Sequence, residues 1–148
     1  MREPLIVLVA EDDANDAFLV ERAFEKARTG MRIQYVRDGQ EAIDYLRGAP
    51  PYSDRSTHPK PDVLLLDLKL PKLTGFDVLK WLREQQMPAR PLVMVFSSSS
   101  DQRDVDRAYD LGANSYLIKS PASPEFLEFI KNLDVYWSKH NRGPVDFS

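Results

Sequence analysis

Short, wholly apolar runs alternate along this chain with longer stretches whose apolar residues recur every three or four positions. Leu5 to Ala10, Asp62 to Asp67 and Leu92 to Phe96 are runs of the first kind. Their length and continuity predict strands buried on both faces. Arg32 to Val36 and Asn114 to Ile118 are shorter or more mixed strands. Helical spacing of Val20, Ala23, Phe24 and Ala27 marks a first helix from about Asn15 to Arg28, with Gly30 suited to stopping it. A second opens at Asp38-Gly39, carries Ala42, Ile43 and Leu46 and ends near Gly48. A third runs from Gly75 to about Gln86 with Phe76, Leu79 and Leu82 inward, and Pro88 and Pro91 bound the connection after it. A fourth spans about Asp101 to Leu111 with Val105, Ala108, Tyr109 and Gly112 on one face. A fifth begins after Pro124, a residue tolerated in a first turn, and reaches about Lys139. Ala49 to Pro61 shows no period and reads as a long loop.

Five strand–helix units imply an α/β fold with a doubly wound five-stranded parallel sheet covered on both faces. Ligands of such folds bind beyond the carboxyl ends of the strands, where strand order reverses. Glu11, Asp12, Asp67, Ser97 and Lys119 all fall at strand ends of that kind. The chain of 148 residues suits one domain, expected over 4–139 with a polar tail over 140–148.

Charge and composition narrow the function. A net charge of −3 with scattered Lys and Arg argues against nucleic acid. The absence of cysteine excludes disulfides, thiolate metal sites and cysteine nucleophiles. His58 and His140 are too dispersed for a zinc site and are expected to be solvated loop residues. No signal peptide and no membrane-crossing stretch are expected, which predicts a cytoplasmic protein without a membrane partner.

A carboxylate where a buried strand leaves the core is costly unless it has a role. Two carboxylates about 4 Å apart repel by roughly 4 kcal/mol at an effective dielectric of 20. Three acids together call for proton uptake or a cation. With oxygen ligands only, that cation is a hard one, Mg²⁺ in a cell, which favours phosphate oxygens as further ligands. Lys119 is then the counter-charge to a phosphoryl group, the Ser97 hydroxyl a donor to it, and Asp67 a nucleophile able to form an aspartyl phosphate. Blander readings stand beside these. Asp67 suits a solvated turn, Glu11-Asp12-Asp13 a helix cap with Asp13 as the capping residue, Lys119 a surface lysine and Tyr116 a half-buried strand aromatic. In Ser97 to Ser100, helix capping by Ser100 or Asp101 is compatible with a different role for Ser97.

The motifs Val9-Ala10-Glu11-Asp12-Asp13, Leu64-Leu65-Leu66-Asp67-Leu68-Lys69-Leu70-Pro71, a following Gly75, Val95-Phe96-Ser97-Ser98 and Gly112-Ala113-Asn114-Ser115-Tyr116-Leu117-Ile118-Lys119 occur in this order. Together they resemble the receiver domain of two-component response regulators, over about residues 4–139. The resemblance implies the flavodoxin-like (βα)5 receiver fold, with Asp67 as phosphoacceptor. It implies that Asp12 and Glu11 are Mg²⁺ ligands with Asp67 and the Lys69 carbonyl. Ser97 matches the residue that senses the phosphoryl group, and Tyr116 the aromatic switch that turns inward. Two features, Ser120 after Lys119 where most receivers have proline and the long loop before the third buried run, resemble stand-alone receivers paired with bacterial and cyanobacterial phytochromes. A cis bond at Lys119–Ser120 would cost about 2.5–4 kcal/mol.

The expected function is phosphoryl transfer from a sensor histidine kinase to Asp67, read out by conformational change, with a phytochrome as the kinase that the resemblance implies. A phosphate sink or relay is the alternative within that class. A Mg²⁺-dependent phosphohydrolase is the alternative outside it, but similar enzymes carry a second Asp where this chain has Lys69. A flavin module would need a phosphate loop where Glu11-Asp12-Asp13 would repel the phosphate. The last helix carries Phe126, Leu127, Phe129, Ile130, Leu133, Tyr136 and Trp137, more apolar residues than one buried face requires. A broad core face or a homodimer through the fourth helix, fifth strand and fifth helix would account for them.

Overall fold

The computed structural model describes residues 4–85 and 90–140. Five strands, β1 (Ile6–Ala10), β2 (Arg32–Val36), β3 (Val63–Leu66), β4 (Leu92–Ser97) and β5 (Ser115–Ile118), alternate with α1 (Ala14–Ala27), α2 (Gly39–Arg47), α3 (Gly75–Glu84), α4 (Gln102–Asp110) and α5 (Pro124–Val135). A π-helical turn, Tyr136–His140, continues α5. The sheet is parallel throughout, in the order β2-β1-β3-β4-β5. The 140–148 tail expected from the sequence lies outside the described residues except for its first residue, as do Gln86 and Pro88.

Strand alternation divides the core in two. Leu8, Leu64, Leu66, Val93 and Val95 pack with Ala42, Val78 and Ala108 under α2, α3 and α4. Val7, Val9, Val63, Leu65 and Phe96 pack with Val20, Phe24, Phe126 and Ile130 under α1 and α5. These side chains are almost wholly buried. At about 25 cal/mol per Å² of apolar surface removed from water, they are the main stabilising term.

The helix starts follow their sequence signals. Asp13, Asp38, Thr74, Asp101 and Ser123 each accept a hydrogen bond from a backbone N–H in the first turn of their helix. Several expectations change. Arg28, not Gly30, takes the left-handed conformation that ends α1, at φ 51°. Phe76 is half-buried beneath the Arg107 guanidinium, 4.1 Å from the ring centroid, and Val78 fills the inward position beside Leu79 and Leu82. On α4 only Ala108 is buried, and Tyr109 and Gly112 face solvent. Polar bridges hold that helix instead: Arg107 lies over Phe76 and Arg83 donates to the Asp110 carbonyl at 2.7 Å.

The aperiodic loop before β3 is ordered by contacts that no sequence period announces. Tyr45 is buried and donates to the Pro59 carbonyl at 2.8 Å. His58 is not a solvated residue: it stands edge-on to the rings of Tyr45 and Tyr52. Arg55 donates to the carbonyls of Leu46 and His58. On α5, Phe126, Ile130 and Leu133 are buried, Leu127, Phe129 and Trp137 half-buried, and Val135 and Tyr136 exposed.

Candidate functional site

The polar residues are fixed by the sheet itself. Three of the four parallel ladders run one residue beyond their strands: the N–H of Glu11 donates to Val36 O, that of Asp67 to Ala10 O, and that of Lys119 to Ser97 O, at 3.0, 3.1 and 2.8 Å. Glu11, Asp67 and Lys119 are therefore held at the carboxyl edge of β1, β3 and β5. Alternation does the rest. Glu11 follows Val7 and Val9, Asp67 follows Val63 and Leu65, and Lys119 follows Leu117, all on the α1/α5 side. Ser97 follows Val93 and Val95 onto the α4 side, as Tyr116 does.

On the α1/α5 side the acids meet one cation. Lys119 Nζ lies 2.7 Å from Glu11 Oε1, 2.9 Å from Asp16 Oδ2 and 3.0 Å from Asp67 Oδ2. Glu11 and Asp67 are buried. The other oxygen of each is held by a backbone donor: Asp13 N–H to Glu11 Oε2 at 3.1 Å and Lys69 N–H to Asp67 Oδ1 at 3.2 Å. Leu68 and Leu70 are buried, so Lys69 between them is turned to solvent and its main chain lies beside Asp67. Gly75 closes the loop. Its N–H donates to Leu68 O at 3.0 Å, and a Cβ there would collide with the Asp67 carbonyl.

The electrostatics follow from burial. Burial above all, and then the charge of Asp67, push the Glu11 carboxyl up to about 7, against the pull of Lys119 and the Asp13 N–H. Burial works against the Lys119 ammonium, but its contacts with Glu11, Asp16 and Asp67 outweigh that and hold its pKa above the ordinary lysine value. Glu11 Oε1 is a buried oxygen without an aligned hydrogen bond. The ammonium beside it makes an ion-pair contact rather than a directed bond.

On the α4 side Ser97 is fully buried, and its Oγ accepts from Ser99 N–H at 3.2 Å. Ser99 Oγ donates to Asp104 on α4 at 2.6 Å, and Tyr116 OH donates to the Ser99 carbonyl at 2.8 Å. A short chain of bonds thus joins the Ser97 strand end to α4 and β5. The Lys119–Ser120 peptide is trans; the cis bond among the described residues is Pro50–Pro51.

The structure brings together Glu11, Asp67 and Lys119 on one side and Ser97 and Tyr116 on the other. Asp12 is exposed and makes no hydrogen bond or ion pair among the described residues. Among the described residues no three acidic or histidine side chains converge as a ready ligand set; the Lys119 ammonium stands between the acids instead. Asp16 is a site residue that the sequence pattern does not single out. Its place three residues after Asp13 marks a helix cap, and that role conceals the second one.

A doubly wound sheet with two acids and a lysine on its carboxyl edge is the architecture of a receiver. Residues 7–131 match the response regulator receiver domain family, and the chain belongs to it. It is similar to a probable methanogenesis regulatory protein, FilR2, of Methanothrix harundinacea, with 38% identity over 143 residues, 96% of this chain and 89% of the relative. Among solved structures it is similar to the phosphorylated cyanobacterial phytochrome response regulator RcpA, at 29% identity and TM-score 0.82 over 97% of this chain and 100% of that one. The Mn²⁺-bound form of Rcp1 from Synechocystis is 28% identical, with TM-score 0.79 over 96% and 100%. No helix among the described residues is long and apolar enough to cross a membrane.

Proposed function

We propose that this chain acts as a response regulator that accepts a phosphoryl group on Asp67 from the phosphohistidine of a sensor histidine kinase. The observation that carries this reading is the Asp67 carboxylate, buried at the edge of β3, with the Lys119 ammonium at 3.0 Å. An Asp67 oxygen attacks phosphorus, the N–P bond of the donor breaks, and the proton needed there ends on the imidazole nitrogen. Lys119 balances charge on the phosphoryl oxygens as they arrive. Ser97 then reads the phosphoryl group, and the Ser99–Asp104 and Tyr116–Ser99 bonds carry the change to α4 and β5.

The donor set fits a divalent cation. Glu11 Oε1 is buried without a directed partner and Asp67 is adjacent; Asp12 and the Lys69 carbonyl, the residues the family motif points to, would supply further oxygens. Mg²⁺ bound there would supply positive charge to the transferring phosphoryl oxygens. The Mn²⁺ bound in Rcp1 supports this assignment.

The phosphorylated, phytochrome-linked RcpA supports a phytochrome as the kinase. Tyr109, Ile118, Val135 and Tyr136 are exposed on α4, β5 and the end of α5. They suit a homodimer through that face, with a sink or relay role open to the same site. A monomer in sedimentation at tens of micromolar would remove the dimer. Incubation with acetyl phosphate, with and without Mg²⁺, tests the core of the reading by intact mass. The expected result is a metal-dependent gain of one phosphoryl group, absent in Asp67→Asn. Phosphorylation that survives this substitution, or none in the wild type, defeats it.

A further inference from the structure

Asp16 stands three residues beyond the N-cap of α1, where a carboxylate ordinarily folds back onto the cap. In α3 the same spacing is closed on itself. Asp77 N–H donates to Thr74 Oγ1, and Asp77 Oδ2 accepts from Thr74 N–H at 2.9 Å. In α1 only half of this box forms: Asp16 N–H donates to Asp13 Oδ1 at 2.9 Å. The Asp13 N–H turns to Glu11, and the Asp16 carboxylate reaches Lys119, 103 residues away in sequence, at 2.9 Å. A local helix-stabilising bond has been exchanged for a tertiary one at the site.

An ammonium has three N–H donors; those of Lys119 make directed bonds to Asp16 and Asp67 and an ionic contact with Glu11 at 2.7 Å. A phosphoryl oxygen arriving on Asp67 needs one of those donors. Asp67 carries the incoming group itself, and the Glu11 side chain, 2% exposed, is shut off from bulk solvent. The Asp16 side chain is 26% exposed and can hydrate on release. Asp16 is thus the partner whose loss costs least.

We infer that Asp16 is a positioning residue, holding the Lys119 ammonium at the mouth of the site and competing with the phosphoryl group for it. This rests on Asp67 being the phosphoacceptor and adds a residue that sets how readily the phosphorylated state forms. Asp16 acts through Lys119 and touches no reacting atom.

The test compares wild type, Asp16→Asn and Asp13→Asn, each as the full chain. Asp13→Asn removes one carboxylate charge from the same helix end, keeps a capping oxygen and leaves the Lys119 contacts in place. Beryllofluoride with Mg²⁺ serves as the phosphoryl mimic, and the ¹⁵N–¹H signal of the Lys119 side chain reports on the free protein. Asp16→Asn is expected to bind beryllofluoride about two- to fivefold more tightly, in the range of a partly exposed charge pair. Its Lys119 signal shifts and exchanges faster with water. A merely structural role would weaken binding. Unchanged or weaker binding in Asp16→Asn, an unmoved Lys119 signal, or equal tightening in Asp13→Asn overturns the inference. Failure of the wild type to bind the mimic overturns the reading of Asp67 as phosphoacceptor, and this inference with it.

Discussion

Replacing Lys119 by Met removes the ammonium shared by Glu11, Asp16 and Asp67 while keeping the apolar stem. The Lys119, Glu11 and Asp67 side chains are 10%, 2% and 7% exposed, so their contacts are buried ones. Taking one partner from a buried pair costs about 3–5 kcal/mol. The Asp16 contact, nearer to water, adds no more than about 1 kcal/mol. Proton uptake sets a limit on the cost. Lys119 holds the Glu11 pKa down, so without it that pKa rises above the wild-type value of about 7. In wild type, native Glu11 binds its proton more tightly than in the unfolded chain, where the ordinary value is 4.5. Its contribution to stability is therefore lost as pH rises from about 4.5 to 7. In Lys119→Met the loss continues to higher pH. The full cost appears near pH 9. At pH 6, where both proteins carry a protonated Glu11, it shrinks by about 1.4 kcal/mol for each unit that separates their Glu11 pKa values. Urea unfolding without Mg²⁺, followed by circular dichroism, reads both effects. At about 2 kcal/mol per M the midpoint falls by roughly 1.5–2.5 M at pH 9. A loss below about 1 kcal/mol at both pH values, or the same loss at both, refutes the assignment of Lys119 as a buried counter-charge.

Two further substitutions probe the frame around the site. Gly75→Ala drives a Cβ into the Asp67 carbonyl and to 2.7 Å from Leu68 Cα. It should cost about 1–3 kcal/mol and slow acetyl phosphate labelling, and wild-type Tm and labelling rate in this variant would contradict the close packing. Tyr116→Phe removes the bond to the Ser99 carbonyl at a cost of about 0.5–1.5 kcal/mol. Amide hydrogen exchange across Ser99 to Asp101 should quicken, and unchanged exchange there would show that the hydroxyl does not hold this loop.

Much of the site was legible because strand ends are legible. A buried parallel strand declares itself by a continuous apolar run, and the first polar residue after it stands at the carboxyl edge, as with Ala10-Glu11 and Leu66-Asp67. Ser97 is the polar last residue of β4, and Lys119 follows the shorter β5, again at an edge. The cap positions Asp13 and Asp101 were readable for a local reason, since each bonds within its own first turn. Asp16 was not, because its decisive partner is 103 residues distant and its spacing already had a local explanation. The 49–61 loop was unreadable for the same kind of reason: Tyr52, Arg55 and His58 follow no period, and only their meeting in space with Tyr45 of α2 gives them meaning.

The sequence by itself determined the order of elements, the buried strands and the identity of the edge residues, because these depend on periodicity and on chain-local bonds. Only the tertiary structure decided how those residues divide. Strand pairing and alternation send Glu11, Asp67 and Lys119 to the α1 side and Ser97 and Tyr116 to the α4 side. The ionic contacts form on one side and the bonds to α4 and β5 on the other. Which acid shares the lysine is likewise tertiary, since a contact of 2.9 Å between Asp16 and Lys119 needs the first turn of α1 brought to the carboxyl end of β5.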